Sequence, residues 1–238
     1  ETVIGSTVAT AGVLNVTNIA SNGTVELTGA INAASSVAVK DASANASDVL
    51  NIKLNGTSNI VNAAALTIAN VETINITATD SSVDTTTLAN PSAASTIFLN
   101  AADATTINVS GNHGVNFGTS TLTKVTTLDA SGVVSVGNAA GATAAQIAAT
   151  GAVTFTSAVT DKAVTVTTGN GADVISVASI NDAAFLATNV TASTITTGEG
   201  DDKITGSAGK DIINAGAGND TITGGAKGDT LTGGAGND

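Results

Sequence analysis

Short runs of alternating apolar and polar residues cover positions 1–165 of the chain. In Glu72–Thr77, for example, the apolar residues Ile74 and Ile76 alternate with polar residues, which is the period of a strand with one buried face. Asn, Gly, Ser and Asp, the residues that favour turns, separate these runs. The pattern therefore predicts many short strands and little helix. Two short helices are expected, over Ala139–Thr150 and over Asn181–Thr188 with Asp182 as the N-cap.

Strands of one kind recur along this region at irregular spacing. Thr73–Ile76, Thr106–Val109 and Thr127–Ala130 share the order Thr, aliphatic, Asn or Asp, apolar. Repeated strands favour the stacked rungs of a solenoid, although a β-sandwich would also show short strands and turns. Aromatic residues make up 2% of the chain, which is too few for the large side chains of a sandwich core. We therefore predict an all-β protein, a parallel β-solenoid.

The C-terminal segment, from Thr197 to Asp238, repeats with a strict period of nine. Each complete repeat has a six-residue, Gly-rich turn that ends in aspartate, followed by a three-residue strand with an aliphatic centre. Two repeats close one coil, so equivalent residues of successive coils stack at the strand spacing of about 4.8 Å. Stacking puts Asp202, Asp220 and Asp238 at one edge of the coil, and Asp211 and Asp229 at the other.

Stacked aspartates predict a cation site. Two unit charges about 5 Å apart repel by roughly 3 kcal/mol at an effective dielectric constant near 20. Calcium fits best, because it accepts six to eight oxygen ligands in a flexible cage. Zinc is excluded as a Cys- or His-bound ion, since the chain has no Cys and one His. The candidate Ca²⁺ ligands are the five aspartates, Asp173 in an upstream copy of the turn, and the turn glycines Gly198, Gly200, Gly209, Gly216, Gly218 and Gly225.

Several residues depart from the repeat. Lys227 replaces a turn glycine and adds a positive charge, which weakens the expected site between Asp211 and Asp229. Asp173 lies further upstream of Asp202 than one coil would place it, so an excursion over Ile180–Val190 would restore the stacking register. Asp48 precedes a similar strand, but its turn has no glycine, and we expect an ordinary turn residue there. We expect a surface position for His113.

The nonapeptide resembles the repeat of the RTX family, G-G-x-G-x-D-x-U-x, which binds calcium as a β-roll. The resemblance implies two regions: strand repeats over 1–165 and a calcium-binding β-roll over 166–238, truncated within a repeat and continuous with the first region. The Thr/Ala/Val/Asn-rich first region is similar in composition to Gram-negative surface-layer proteins of the Caulobacter and Campylobacter type. That similarity implies type I secretion and a calcium-dependent lattice on the cell surface.

Charge and motif content narrow the function. A net charge of −12 with seven Lys and no Arg argues against nucleic-acid binding, and the absence of any long apolar run argues against membrane insertion. No catalytic constellation occurs, so we expect a non-enzymatic structural component of an extracellular surface layer that self-associates into a lattice or filament. A cell-surface polysaccharide is a further candidate partner. The alternatives are a calcium-dependent adhesin or matrix protein, and the RTX tail of a secreted hydrolase or toxin.

Overall fold

The computed structural model describes residues 3–6 (backbone only), 13–40, 47–56, 60–80, 94–134, 150–188 and 191–238. Within these ranges the chain forms short strands joined by turns, and a short helix, α1, over Ala183–Ala187. The strands are β1 (Val3–Ser6), β2 (Asn15–Ile19), β3 (Gly23–Leu27), β4 (Ser35–Val39), β5 (Val49–Gly56), β6 (Val61–Ala69), β7 (Thr73–Asp80), β8 (Ser95–Asn100), β9 (Thr106–Gly111), β10 (Val115–Asn116), β11 (Thr127–Val133), β12 (Thr154–Thr156), β13 (Val164–Thr167), β14 (Val174–Ser176), β15 (Thr191–Thr196), β16 (Lys203–Thr205), β17 (Lys210–Ala217), β18 (Thr221–Thr223) and β19 (Thr230–Ala235).

Successive strands alternate between two parallel sheets. The odd-numbered strands form a ten-stranded sheet in chain order, and the even-numbered strands form a nine-stranded sheet. Each coil of the chain therefore contributes one strand to each sheet and a turn at each edge. The prediction of an all-β parallel β-solenoid is confirmed.

The register of the rungs follows the sequence repeats. Thr73 pairs with Thr106, and Thr106 pairs with Thr127, so the irregularly spaced strand pattern does stack. In the C-terminal repeats, Ile204 pairs with Ile222, its equivalent in the next coil. The upstream copy also pairs with the repeats, because β14 lies beside β16 despite the longer connection between them. That connection contains α1, whose predicted N-cap Asp182 accepts a hydrogen bond from the backbone N–H of Phe185 at 2.8 Å.

A thin aliphatic core runs along the solenoid axis. In the ten-stranded sheet, one inward-pointing side chain from each strand of β5 to β19 pairs with its equivalent in the next rung, and the paired residues form a continuous column. All but the last are buried, and Leu231 is 47% exposed because β19 is the last strand in its sheet. The column comprises Leu50, Ile74, Ile107, Leu128, Val166, Ile195, Ile213 and Leu231. Stacked aliphatic side chains thus replace the aromatic residues that the composition lacks.

An asparagine ladder stabilises the half-buried outer face of the ten-stranded sheet. Asn75 donates from Nδ2 to Oδ1 of Asn51 at 2.9 Å, and Asn108 donates to Oδ1 of Asn75 at 2.8 Å. These three residues lie opposite one another on β5, β7 and β9. The ladder therefore adds side-chain hydrogen bonds parallel to those of the backbone.

Both sheets pass residue 165 without interruption. Strand β13 pairs with β11 before it and β15 after it, and β14 pairs with both β12 and β16. The Gly-rich repeats therefore stack directly on the irregular rungs. Of the other predicted helix, residues 139–149 lie outside the described residues.

The expectation of a surface position for His113 is wrong, and Asp48 is more buried than an isolated turn residue would be. His113 is 1% exposed rather than on the surface, and its Nδ1 lies 3.4 Å from Oγ of Ser95. Asp48 is also buried, at 5% exposure. Both residues lie at corners of the coil, where the turns of neighbouring rungs stack on one another and cover side chains that a lone turn would expose.

Candidate metal centre

Four aspartates form a hydrogen-bonded ladder at one edge of the solenoid, which we term the long ladder. Asp173, Asp202 and Asp220 directly precede β14, β16 and β18, and Asp238 follows one coil later. Oδ1 of each accepts the backbone N–H of the equivalent residue in the preceding rung, at 2.7 to 3.1 Å. The first of these donors is Val153, so the ladder ties the Gly-rich repeats to the irregular rungs.

Two members of the long ladder carry a buried carboxylate oxygen that has no partner. Oδ2 of Asp202 and Oδ2 of Asp220 accept no hydrogen bond in the structure. The first residue of each turn explains this. The Thr197 hydroxyl donates to the carbonyl of Ala215 at 2.6 Å, and Ala215 itself has no donor in its side chain. A buried anionic oxygen without a partner is destabilising, and a hard cation would satisfy it.

The electrostatics at Asp202 also favour a cation. The pKa of Asp202 is raised to about 6, mainly by burial and also by the carboxylates of Asp220 and Asp201, although the neighbouring Thr197 hydroxyl and the N–H of Asp173 offset part of this rise. A raised carboxyl pKa means that the folded structure disfavours the ionised form. A divalent cation between Asp202 and Asp220 would offset both the desolvation and the mutual repulsion of these carboxylates.

Asp173 differs from the later aspartates of the long ladder. Its Oδ1 accepts the N–H of Val153 at 2.7 Å, and its Oδ2 accepts the hydroxyl hydrogen of Thr168. Burial raises the pKa of Asp173 to about 8. Since protein donors already satisfy both oxygens, the geometry favours a structural role for Asp173 at the top of the ladder. Calcium ligation by Asp173 stays a prediction.

The opposite edge carries the short ladder of Asp211 and Asp229. The N–H of Asp211 donates to Oδ1 of Asp229 at 3.0 Å, which repeats the geometry of the long ladder. Protein donors, however, occupy both oxygens of Asp211. Ser207 donates its N–H to Oδ2 at 2.7 Å and its hydroxyl to Oδ1 at 2.9 Å, and the Ser193 hydroxyl also reaches Oδ1 at 2.6 Å. Ser207 thus satisfies the carboxylate oxygens of Asp211 that a cation would otherwise bind. The sequence analysis missed this role.

Lys227 adds to this asymmetry. It keeps the left-handed backbone of the glycine that it replaces, with φ +75°. Its ammonium donates to the carbonyl of Leu186 in α1 at 3.2 Å. The positive charge is therefore directed to the excursion helix. Of the sites that the spacing predicts, those between members of the long ladder best match the geometry.

The turn glycines allow close stacking of the coils. A Cβ on Gly218 would lie 2.1 Å from the carbonyl oxygen of Gly200, and both residues have positive φ, at +151° and +135°. No side chain fits between the turns at that distance. The other predicted turn glycines are also packed against a neighbouring rung or the excursion: Gly198, Gly209, Gly216 and Gly225. Ligation by their carbonyl oxygens stays a prediction.

Comparison with known proteins identifies the repeat. The family model of the RTX calcium-binding nonapeptide repeat (4 copies) matches residues 191–222 and 215–238. Residues 191–238 carry RTX repeats. These nonapeptides bind Ca²⁺, so calcium is the cofactor of the segment, and the unpartnered oxygens of Asp202 and Asp220 fit it. The match covers about a fifth of the chain. No curated protein and no solved structure matches the chain.

The RTX repeats indicate the class of protein and the ligands available to the calcium site. RTX repeat proteins are typically secreted, and an all-β RTX fold is typical of non-catalytic structural domains. Within the described ranges, no three His, Cys, Asp or Glu side chains converge on one point. A calcium ion in the long ladder would therefore take its remaining ligands from backbone carbonyls and water. In the same ranges, no helix is long and apolar enough to cross a bilayer.

Proposed function

We propose that this chain is a structural component of an extracellular bacterial surface layer, a β-solenoid whose folding and lateral assembly depend on calcium. The observation that carries the proposal is the long ladder. Its two unpartnered oxygens belong to aspartates that end RTX turns, and its hydrogen bonds run from Asp238 to Val153 in the irregular rungs. Calcium at one edge would thereby order the solenoid beyond the repeats themselves.

The coupling follows from the two oxygens of each carboxylate. Calcium bound through Oδ2 of Asp220 would fix the carboxylate, whose Oδ1 holds the N–H of Asp202 at 2.9 Å. Asp202 in turn holds the N–H of Asp173 at 2.8 Å. Metal binding and folding are then one process, as in other small metal-dependent folds.

Charge and surface support lateral assembly. The seven acidic groups and three Lys of residues 197–238 give a net charge of −4, and calcium would remove the repulsion between copies that results from it. Val174 and Ile212 are 43% and 41% exposed on the outer faces of the two sheets. Val174 directly follows Asp173, and Ile212 directly follows Asp211, so calcium would order two sheet faces that each carry an exposed aliphatic residue. Type I secretion and a polysaccharide anchor on the cell surface complete the proposal.

The test combines particle size, electron microscopy and a calcium titration of the full chain, with magnesium as the control ion. The proposal predicts that calcium alone increases β content and produces sheets or filaments. A variant with Asp202→Asn and Asp220→Asn should lose both effects. Asp161→Asn, which removes one exposed charge, should retain them.

The alternatives give different results. A protein that orders with calcium, stays monomeric and binds a glycan would be an adhesin or matrix protein. Hydrolase or toxin activity in a longer protein, lost when that additional part is removed, would make this chain an RTX tail. Calcium-induced order in the absence of assembly would overturn the surface-layer proposal and leave the calcium site intact.

A further inference from the structure

One carboxylate far from the RTX repeats shares the signature of the long ladder. Among the described residues, buried carboxylate oxygens without a hydrogen-bond partner occur in three aspartates, Asp48, Asp202 and Asp220. Two of these lie in the RTX turns. Asp48 lies in the irregular region, directly before β5, and only 5% of its surface is exposed.

Asp48 occupies the same place in its rung as the short-ladder aspartates. The odd-numbered strands from β5 to β19 pair in chain order. Asp48, Asp211 and Asp229 each lie at the N-terminal end of a strand in this ten-stranded sheet. The N–H of Asp48 donates to Oε2 of Glu72 in the next rung at 2.9 Å. The N–H of Asp211 donates to Asp229 in the same manner, at 3.0 Å. Asp48 and Glu72 thus form a two-rung ladder of carboxylates.

Both carboxylates lie beside the backbone nitrogen of Asp48. Glu72 Oε2 contacts the backbone nitrogen of Asp48, and the side chain of Asp48 extends only two carbon atoms from the same backbone. The rungs are also joined by backbone hydrogen bonds, since the N–H groups of Glu72 and Thr73 both donate to the carbonyl of Asp48. Both side chains therefore lie at one corner of the solenoid.

In the part of the chain that the structure describes, no basic side chain pairs with these two carboxylates. The ion pair found there joins Lys124 to Asp103, elsewhere in the solenoid. Glu72 is half-buried, and Asp48 is almost wholly buried. A buried anion is stable only when it is paired, coordinated to a metal or neutralised. A hard divalent cation meets this requirement with carboxylate and water ligands.

We infer that Asp48 and Glu72 hold a calcium ion outside the RTX repeats, at a corner of the solenoid equivalent to that of the short ladder. The site does not depend on the proposed surface-layer function. It would join β5 to β7 through metal at a turn that has no glycine. The solenoid would then carry calcium sites in both of its regions.

The test measures the number of calcium ions bound by the full chain, by equilibrium dialysis. The wild-type chain should bind one ion more than Asp48→Asn, a variant that preserves shape and removes the charge. Asp161→Asn should bind as many ions as the wild type. The double variant Asp48→Asn, Asp220→Asn should bind one calcium ion fewer than Asp220→Asn alone, which separates this site from the RTX turns.

A second measurement guards against poor folding of Asp48→Asn. Glu72→Gln retains an oxygen that can accept the N–H of Asp48, and it removes one negative ligand. We expect calcium to slow amide exchange at Asp48 and Glu72 in the wild type and much less so in Glu72→Gln. Equal numbers of bound calcium ions in wild type, Asp48→Asn and Glu72→Gln would overturn the inference. Equal rates of amide exchange at Asp48 and Glu72 with and without calcium would also overturn the inference.

Discussion

At the scale of single residues, the first two positions of each turn determine what its aspartate does. Thr168 donates to Asp173, and Ser207 donates to Asp211, so both carboxylates are satisfied by protein. Ala215 has no donor in its side chain, and Oδ2 of Asp220 is left without a partner. Five aspartates at identical spacing are therefore chemically unequal. The spacing predicts their positions, but the direction in which the turn residue donates decides whether an oxygen is left for calcium: Thr168 donates to its aspartate, whereas Thr197 donates to the carbonyl of Ala215.

Substitution of two aspartates should expose this difference. Asp220→Asn should lower calcium affinity at least tenfold, because it removes a charged ligand oxygen that no protein donor satisfies. Asp211→Asn should change affinity about threefold or less, since Ser193 and Ser207 already occupy that carboxylate. Calorimetric titration of both variants measures the difference, with Asp161→Asn as the control. Equal losses at Asp220 and Asp211 would show that the turn residues do not select the site.

The close stacking of turns predicts a large effect from one methyl group. Gly218→Ala puts a Cβ 2.1 Å from the carbonyl oxygen of Gly200 and imposes a positive φ on alanine. We expect it to lower the free energy of unfolding by about 2 kcal/mol or more. Gly228→Ala is the matched control, because a Cβ there has no atom within 4 Å. Denaturant unfolding in calcium compares them, and coincident curves would argue against tight stacking.

At the scale of strands and turns, regular repeats and irregular rungs differ in predictability. The strict period of nine predicts which residues pair in β16 to β19. The excursion that contains α1 is predicted by the spacing of Asp173 and Asp202, which exceeds one coil. The upstream spacings vary, so the sequence predicts rungs there but not which turns cover which side chains. The buried positions of Asp48 and His113 arise from this stacking of neighbouring corners. No local sequence signal marks them.

The asparagine ladder should contribute measurably to the stability of the irregular rungs. Asn75→Ala removes hydrogen bonds to both Asn51 and Asn108 on a half-buried face, and we expect a loss of about 1–2 kcal/mol. Asn55→Ala, which removes a single exposed bond to Glu26, should cost about 0.5 kcal/mol or less. Thermal or denaturant unfolding distinguishes the two variants. An Asn75→Ala protein as stable as Asn55→Ala would mean that the ladder is not a stabilising element.

At the scale of the whole molecule, the irregular rungs and the RTX repeats share their sheets. Strands β11 to β16 pair across residue 165 in both sheets, and the long ladder crosses the same region. In the presence of calcium, limited proteolysis should therefore not release residues 166–238 as a stable fragment. Mass spectrometry of the digest identifies the fragments. A clean cut near residue 165 that leaves a folded C-terminal piece would show two independent units.

The central claim is that calcium at the RTX turns orders the solenoid through the long ladder. Amide hydrogen exchange of the full chain, with and without calcium, tests it most directly. We expect calcium to protect the N–H groups of Asp220, Asp202 and Asp173 and also that of Val153, which lies in the irregular rungs. Magnesium should not have this effect. Protection that stays within residues 191–238, or exchange that does not change with calcium, would contradict the claim.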